Sequence, residues 1–304
     1  MSTPLLEAEN VGICFGGLQA LKGFNLSVKK GDLQGLIGPN GAGKTTAFNI
    51  ITGVYSPTEG QVRVGGQEVT GRATWEINRM GLARTFQNIR LFKSLTALDN
   101  VKVACLNEEQ PLFSRERAAA ARAQGRRLTA HTMDAFANYA DWWRALMRTR
   151  GFQADELRLT ERAESLLEVM GLSHRRDELA DSLPYGEQRR LEVARALGTS
   201  PKVLLLDEPA AGMNTREKAD LMSLIRNIRD RFELGILLIE HDMKLVMGIC
   251  EQITVLDHGQ TIATGTPSAV RQAPEVIKAY LGSGELALDP VDAPQEAPRP
   301  EGAA

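Results

Sequence analysis

The chain has 304 residues, enough for one large domain or two modest ones at roughly 100–200 residues each. Its 36 basic and 38 acidic side chains leave a formal charge of −2, which argues against a protein that grips nucleic acid with its whole surface. A hydrophobic fraction of 43% and a charged fraction of 24% exclude a largely disordered chain.

The elements follow in chain order. Residues 1–10 lack a basic start followed by an apolar run, so no signal peptide is expected. Residues 5–11 and 18–28 alternate apolar and polar positions and predict strands, broken by Gly16, Gly17 and Gly31. Residues 33–37 are a short apolar strand that runs into a glycine-rich loop. Residues 45–53 predict a helix closed by Gly53, and 61–64 with 68–69 a small hairpin around Gly65 and Gly66. From about residue 89 Ala, Arg, Leu and Glu dominate and helical periodicity takes over, with Ala163, Leu166, Leu167 and Met170 on one face. Strand-like segments return at 203–206, 236–239 and 253–256, separated by helical stretches. That alternation predicts a mainly parallel sheet flanked by helices, with the helical block inserted into one α/β core.

The resulting division is 1–88 for a small β subdomain and the first part of the core, 89–181 for the helical subdomain, and 182–282 for the rest of the core with a C-terminal helix. Residues 283–304 hold four prolines, five acidic residues and one Arg, and predict a disordered tail. Cys14, Cys105 and Cys250 form no Cys-x-x-Cys pair, which fits a reducing compartment. No apolar run approaches the ~20 residues that span a bilayer. The expectation is a soluble cytosolic protein that reaches a membrane only through a partner.

Residues 114–151 carry eight Arg against three acidic residues, with Met133, Phe136, Tyr139, Trp143 and Met147 at helical spacing. The preferred reading packs this stripe on the helical block. The alternative lays a basic amphipathic helix on an anionic membrane surface.

The strongest chemical signal is Gly38-Pro39-Asn40-Gly41-Ala42-Gly43-Lys44-Thr45-Thr46, which satisfies G-x-x-x-x-G-K-[ST] between a strand and a helix. Glycines let successive backbone N–H groups converge on phosphate oxygens, and the helix start aims its positive end at the same anion. Lys44 adds a cation for the β- and γ-phosphates, and Thr45 a hydroxyl for Mg²⁺. The second signal is the apolar run 203–206 delivering Asp207 and Glu208 to the sheet's C-terminal edge, where ligands of open α/β sheets bind. Asp207 is the expected Mg²⁺ ligand and Glu208 the group that orients or deprotonates water. Together they predict a nucleoside triphosphatase without saying which.

Four further segments resemble the ABC ATPases. Residues 182–190 (Ser-Leu-Pro-Tyr-Gly-Glu-Gln-Arg-Arg) resemble the family signature L-S-G-G-Q, Gln87 the Q-loop, residues 211–214 (Ala-Gly-Met-Asn) the D-loop, and His241 the switch histidine. Gln87 or His241 alone would say little; their fixed order carries the resemblance. Residues 15–17, 83–87, 183–190, 208–214, 240–243 and 263–282 are similar to the ATPases of branched-chain amino acid importers, the LivG kind. Lipopolysaccharide-export ATPases are the nearest rival, with a non-transport ABC ATPase behind them.

The resemblance implies a P-loop ABC nucleotide-binding domain that hydrolyses ATP with Mg²⁺ to energise a membrane importer for branched-chain or related amino acids. It implies that Phe15 stacks on adenine, that Gln87 meets Mg²⁺ and its water, and that His241 contacts the γ-phosphate. Gly186 and its neighbour Glu187 would meet the nucleotide of a second, related or identical ATPase subunit in a head-to-tail pair. Permease subunits would be the other partners, with a solute-binding protein indirectly and no nucleic acid. The subunit would sit on the cytoplasmic face of the plasma membrane. Three departures stand out: Pro184 replaces the signature Ser, Tyr185 its first Gly, and Asn214 the D-loop Asp.

Overall fold

The computed structural model describes residues 3–106 and 150–283. Two sheets frame it. Strands β1 (Leu6–Phe15), β2 (Leu18–Val28), β4 (Glu59–Val64) and β5 (Gln67–Glu68) form an antiparallel sheet in the order β2-β1-β4-β5. The second sheet contains β3 (Leu33–Ile37), β6 (Leu82–Arg84), β7 (Val203–Asp207), β8 (Gly235–Ile239), β9 (Gln252–Asp257) and β10 (Gln260–Gly265). Its order is β10-β9-β3-β8-β7-β6, parallel except for the β9–β10 pair.

The short apolar runs of β3, β7 and β8 are buried throughout because each strand has a core on both faces. Leu204, Leu206, Ile236 and Leu238 point into one core, and Leu205, Leu237 and Ile239 into the other. The second core gathers the antiparallel sheet, through Leu6, Phe24 and Val62, and helix α1 (Lys44–Ile51), through Phe48. The first gathers the helices of the other side. These are α3 (Ala97–Cys105), α4 (Arg150–Val169), α5 (Tyr185–Gly198), α6 (Thr215–Phe232) and α7 (Met243–Ile249). Helices α2 (Thr74–Arg79), α8 (Pro267–Gln272) and α9 (Pro274–Ser283) complete the described chain.

Local chemistry sets the helix starts. Thr96 caps α3 by accepting from the Asp99 N–H at 3.0 Å. Asn214 caps α6 in a reciprocal box with Glu217, at 3.0 and 2.9 Å. The D-loop Asn is therefore a helix cap, a role in which Asn and Asp are interchangeable. Along α4, the face expected from periodicity is buried at Ala163, Leu166 and Leu167, and Met170 just beyond the helix continues it.

Several boundaries move. Helix α1 starts at Lys44 and ends at Ile51, with Gly53 beyond it, and the small hairpin's second strand is shifted to Gln67–Glu68. Strands β6 and β10 were not expected: β6 has three residues, too few to show a period, and β10 is a half-exposed edge. Helix α9 runs through Ser283, assigned above to the tail. The rest of the tail, and the basic stripe of 114–149, lie outside the described residues. No described helix is long and apolar enough to cross a membrane.

Candidate nucleotide site

The loop between β3 and α1 needs glycine for two reasons. Gly38 and Gly43 have φ of 151° and 103°, and a Cβ there would come 2.0 Å from the Leu256 carbonyl oxygen and 2.9 Å from that of Ala20. Gly41 also has positive φ, 80°, but faces open space. The buried Lys44 side chain folds back into the loop, where Nζ donates to the carbonyls of Gly38 (2.6 Å) and Pro39 (3.0 Å). No side chain caps α1, whose N-terminal N–H groups start at the floor of an open cleft of about 740 Å³. Asn40, Gly41, Ala42, Gly43, Lys44, Thr45 and Thr46 line that cleft, faced by Gln19, Gln87, Glu208 and His258. Loop and helix end together suit an anion of several phosphates.

The acidic side of the site comes from the ends of β7 and β8. Glu208 has a left-handed backbone, φ 46°, held by a bond from its N–H to the Ile239 carbonyl at 2.9 Å. Such a conformation costs on the order of 1–3 kcal/mol in a non-glycine residue and persists where surrounding structure enforces it. It delivers the carboxylate to Gln87, whose Nε2 donates to Glu208 Oε2 at 2.8 Å, and to His241, whose Nδ1 is 3.8 Å from the same oxygen. Asp207 lies deeper. Its Oδ2 pairs with Arg84 Nη2 at 2.7 Å, and both side chains are 7% exposed.

Not every expected residue reaches the cleft wall. Phe15 packs edge-on against Tyr55, with centroids 5.2 Å apart, and is not among the lining residues, which begin at Leu18. Gly186 and Glu187 line a separate cavity of about 470 Å³ between α4, α5 and α6. Glu187 is turned to Arg175, whose Nε donates to it at 3.1 Å.

Sequence reasoning missed four charged residues that hold these loops. Arg84 is stacked by Phe48 and Phe86 and also bonds Asn49 at 2.8 Å. Arg189 and Glu192, on α5, pair at 3.2 Å and grip the backbone around Gln87. Glu240 accepts from the Ala210 N–H at 2.8 Å and so ties β8 to the loop after Glu208. Burial pushes the carboxyls of Glu192 and Glu240 above their usual range, and backbone donors only partly offset it. For Asp242 burial acts in the same direction, but Lys218 at 2.6 Å and the Leu245 N–H outweigh it and hold that carboxyl low. The available signal was charge inside otherwise apolar strand and helix faces, which marks a buried partner without naming it.

A fold of this kind, with a phosphate loop, strand-end acids and a helix-borne signature, defines an ATP-binding cassette. Residues 21–211 match the family model described as ABC transporter, and the chain belongs to that family. Residues 260–285 match a second model, described as branched-chain amino acid ATP-binding cassette transporter. The chain is 43% identical over 282 residues to the high-affinity branched-chain amino acid transport ATP-binding protein BraF of Pseudomonas aeruginosa, covering 93% of this chain and 99% of that one. It is 41% identical over 283 residues to LivG of Escherichia coli, with the same coverage. A lipopolysaccharide export ATP-binding protein of Haemophilus influenzae is more distant, at 29% over 278 residues, 91% of this chain and 97% of that one. Among solved structures, the ADP conformation of an ATP-binding cassette of an ABC transporter superposes with a TM-score of 0.72 at 29% identity, covering 92% of this chain and all of the other.

Proposed function

We propose that this chain hydrolyses MgATP in the cleft over Lys44 and thereby drives a membrane permease that imports branched-chain or related amino acids. The observation that carries the chemistry is that Glu208 and Gln87 line the phosphate cleft together and meet at 2.8 Å, with His241 3.8 Å from the same Glu208 oxygen and Glu208 held in a strained backbone to reach them. Lys44 and the N–H groups of residues 40–46 hold the phosphates, and Phe15 stacks on adenine. Thr45 and Asp207 hold Mg²⁺, with Gln87 beside them. Arg84 takes only Oδ2 of Asp207, so Oδ1 remains to serve the ion. An Mg²⁺ ion held by these residues would supply positive charge against that developing on the phosphates. Glu208 aligns water for in-line attack and accepts its proton, once the Gln87 amide turns away from it. His241 contacts the γ-phosphate.

Gly186 and Glu187 complete the site of a second ATPase subunit, identical or related, in a head-to-tail pair. Their position on a different cavity from this chain's own phosphate cleft supports that reading. N–H groups that reach a phosphate only on closure stabilise charge only then. Pro184 removes the signature hydroxyl, and loss of one such donor lowers turnover on the order of 10²-fold. A composite site served by this signature therefore turns over more slowly than one whose signature keeps the Ser. The subunit sits on the cytoplasmic face of the plasma membrane, held by permease subunits that a solute-binding protein supplies.

The test is Glu208→Gln in the complex with permease and partner ATPase, reconstituted into vesicles. Expected are retained ATP binding, an ATP-stabilised closed pair on size exclusion, phosphate release lowered on the order of 10²–10⁴-fold, and loss of leucine uptake. Near-wild-type phosphate release removes Glu208 from the chemistry. A wild-type complex that hydrolyses ATP but takes up no branched-chain amino acid refutes the solute.

A further inference from the structure

The signature segment departs from its family pattern at Tyr185, and that tyrosine touches the D-loop directly and the Q-loop through Arg189. It is the first residue of α5, after Pro184, which caps the helix without a side-chain bond. Its ring lies against the D-loop: a Cβ placed on Gly212 would come 3.4 Å from the ring's Cε1. Its hydroxyl oxygen accepts from Arg189, one turn along, at 3.2 Å from Nε and 3.0 Å from Nη2. Arg189 is 3% exposed and reaches across to the Q-loop. There Nη1 donates to the Phe86 carbonyl at 2.7 Å and Nη2 to the Gln87 carbonyl. Glu192, 2% exposed, closes the frame by accepting from the N–H groups of Phe86 (3.4 Å) and Arg90 (3.3 Å). The Gln87 side chain then reaches Glu208.

A guanidinium presents its donors in one rigid plane, so fixing one edge aims the rest. The Tyr185 hydroxyl fixes the Nε–Nη2 edge, and the remaining donors fall on the two Q-loop carbonyls and on Glu192, 3.2 Å from Nη1. Glycine, the family's residue at this place, could hold neither the guanidinium nor the D-loop contact. We propose that Tyr185 is a positioning residue. Its hydroxyl locks the Arg189 fork, which sets the Gln87 backbone and the aim of Gln87 at Glu208, and so ties the signature end of α5 to the hydrolytic site of the same chain. The proposal rests on the reading of Gln87 and Glu208 given above.

Tyr185→Phe keeps the ring on Gly212 and deletes only the oxygen, at a position 45% exposed, so the fold survives. Two readouts decide. In the full chain without nucleotide, hydrogen exchange at residues 86–90 is expected to quicken about 3–10-fold, the scale of one lost hydrogen bond, and Arg189→Lys is expected to do the same. In the transporter complex, kcat is expected to fall by a similar factor with KM for ATP unchanged, because the phosphate loop is untouched. In a Gln87→Ala background the same substitution is expected to change kcat no further. Unchanged exchange in Tyr185→Phe overturns the latch whatever the enzymology. Faster exchange with unaltered kcat, a loss confined to KM, or an equal loss in the Gln87→Ala background overturns the positioning role. A wild-type complex without ATPase activity removes the proposed function, while the exchange experiment still decides the latch.

Discussion

Arg84 and Asp207 form a buried ion pair beneath the cleft, and breaking it from one side tests how the site is held. Arg84→Met keeps most of the stem that packs between Phe48 and Phe86, whose ring centroids lie 5.4 and 5.1 Å from the guanidinium carbon. It strands the Asp207 carboxylate, 7% exposed, without its 2.7 Å partner. Leaving one member of a buried pair unmatched costs about 3–5 kcal/mol. Losing the 2.8 Å bond to Asn49 adds about 1 kcal/mol. The thioether against two aromatic rings returns about 1 kcal/mol. The expected net loss is about 4 kcal/mol, or about 8 °C in Tm at roughly 2 °C per kcal/mol for a chain of this size. Urea unfolding followed by circular dichroism, with thermal melts, should be run on Arg84→Met, Asp207→Asn and the double variant. The double variant should recover about 2 kcal/mol or more of the summed single losses, because it removes both charges together. An Arg84→Met chain that melts within about 1 °C of wild type, or strictly additive losses, would refute the claim that this pair holds the strand end in place.

Two other perturbations follow from the same geometry. Lys44→Ala should weaken ATP binding about 10–100-fold, the scale of one charge-assisted contact, and abolish turnover in the assembled complex; normal hydrolysis by a folded variant would remove the phosphate-loop assignment. Burial raises the Glu240 carboxyl above its ordinary 4.5, so the folded chain keeps that proton to higher pH than the unfolded chain does. The stability this contributes is complete below about pH 4.5 and is lost as pH rises through the raised value. Glu240→Gln keeps an acceptor for the Ala210 N–H without the titration, so wild-type stability measured against this variant should decline as pH rises above about 4.5. A difference that stays flat from about pH 4 to 8 would contradict the burial argument.

Much of the frame was legible in the chain. A run such as 203–206, short and wholly apolar, reads as a strand buried on both faces, and each of its alternating residues does find a core. The phosphate loop was legible because Gly38 and Gly43 stand where no Cβ fits, and backbone demands of that kind show in residue type and spacing. The order of Gln87, residues 182–190, Glu208 and His241 was equally plain, being a fact of sequence.

What joins those segments was not legible. Strands β6 and β7 carry Arg84 and Asp207 from residues 123 positions apart into one buried pair, and nothing in either neighbourhood names the other. Tyr185 read as a missing glycine until Arg189 and the Q-loop carbonyls were beside it. Glu240 read as one letter before a histidine, although its carboxylate holds the Ala210 N–H across the strand ends. The division has a physical cause. Backbone shape and periodic burial depend on neighbours within a few residues, so the sequence determines them locally. A buried charge depends on whichever partner the folded chain brings within about 3 Å, and only the tertiary structure decides that.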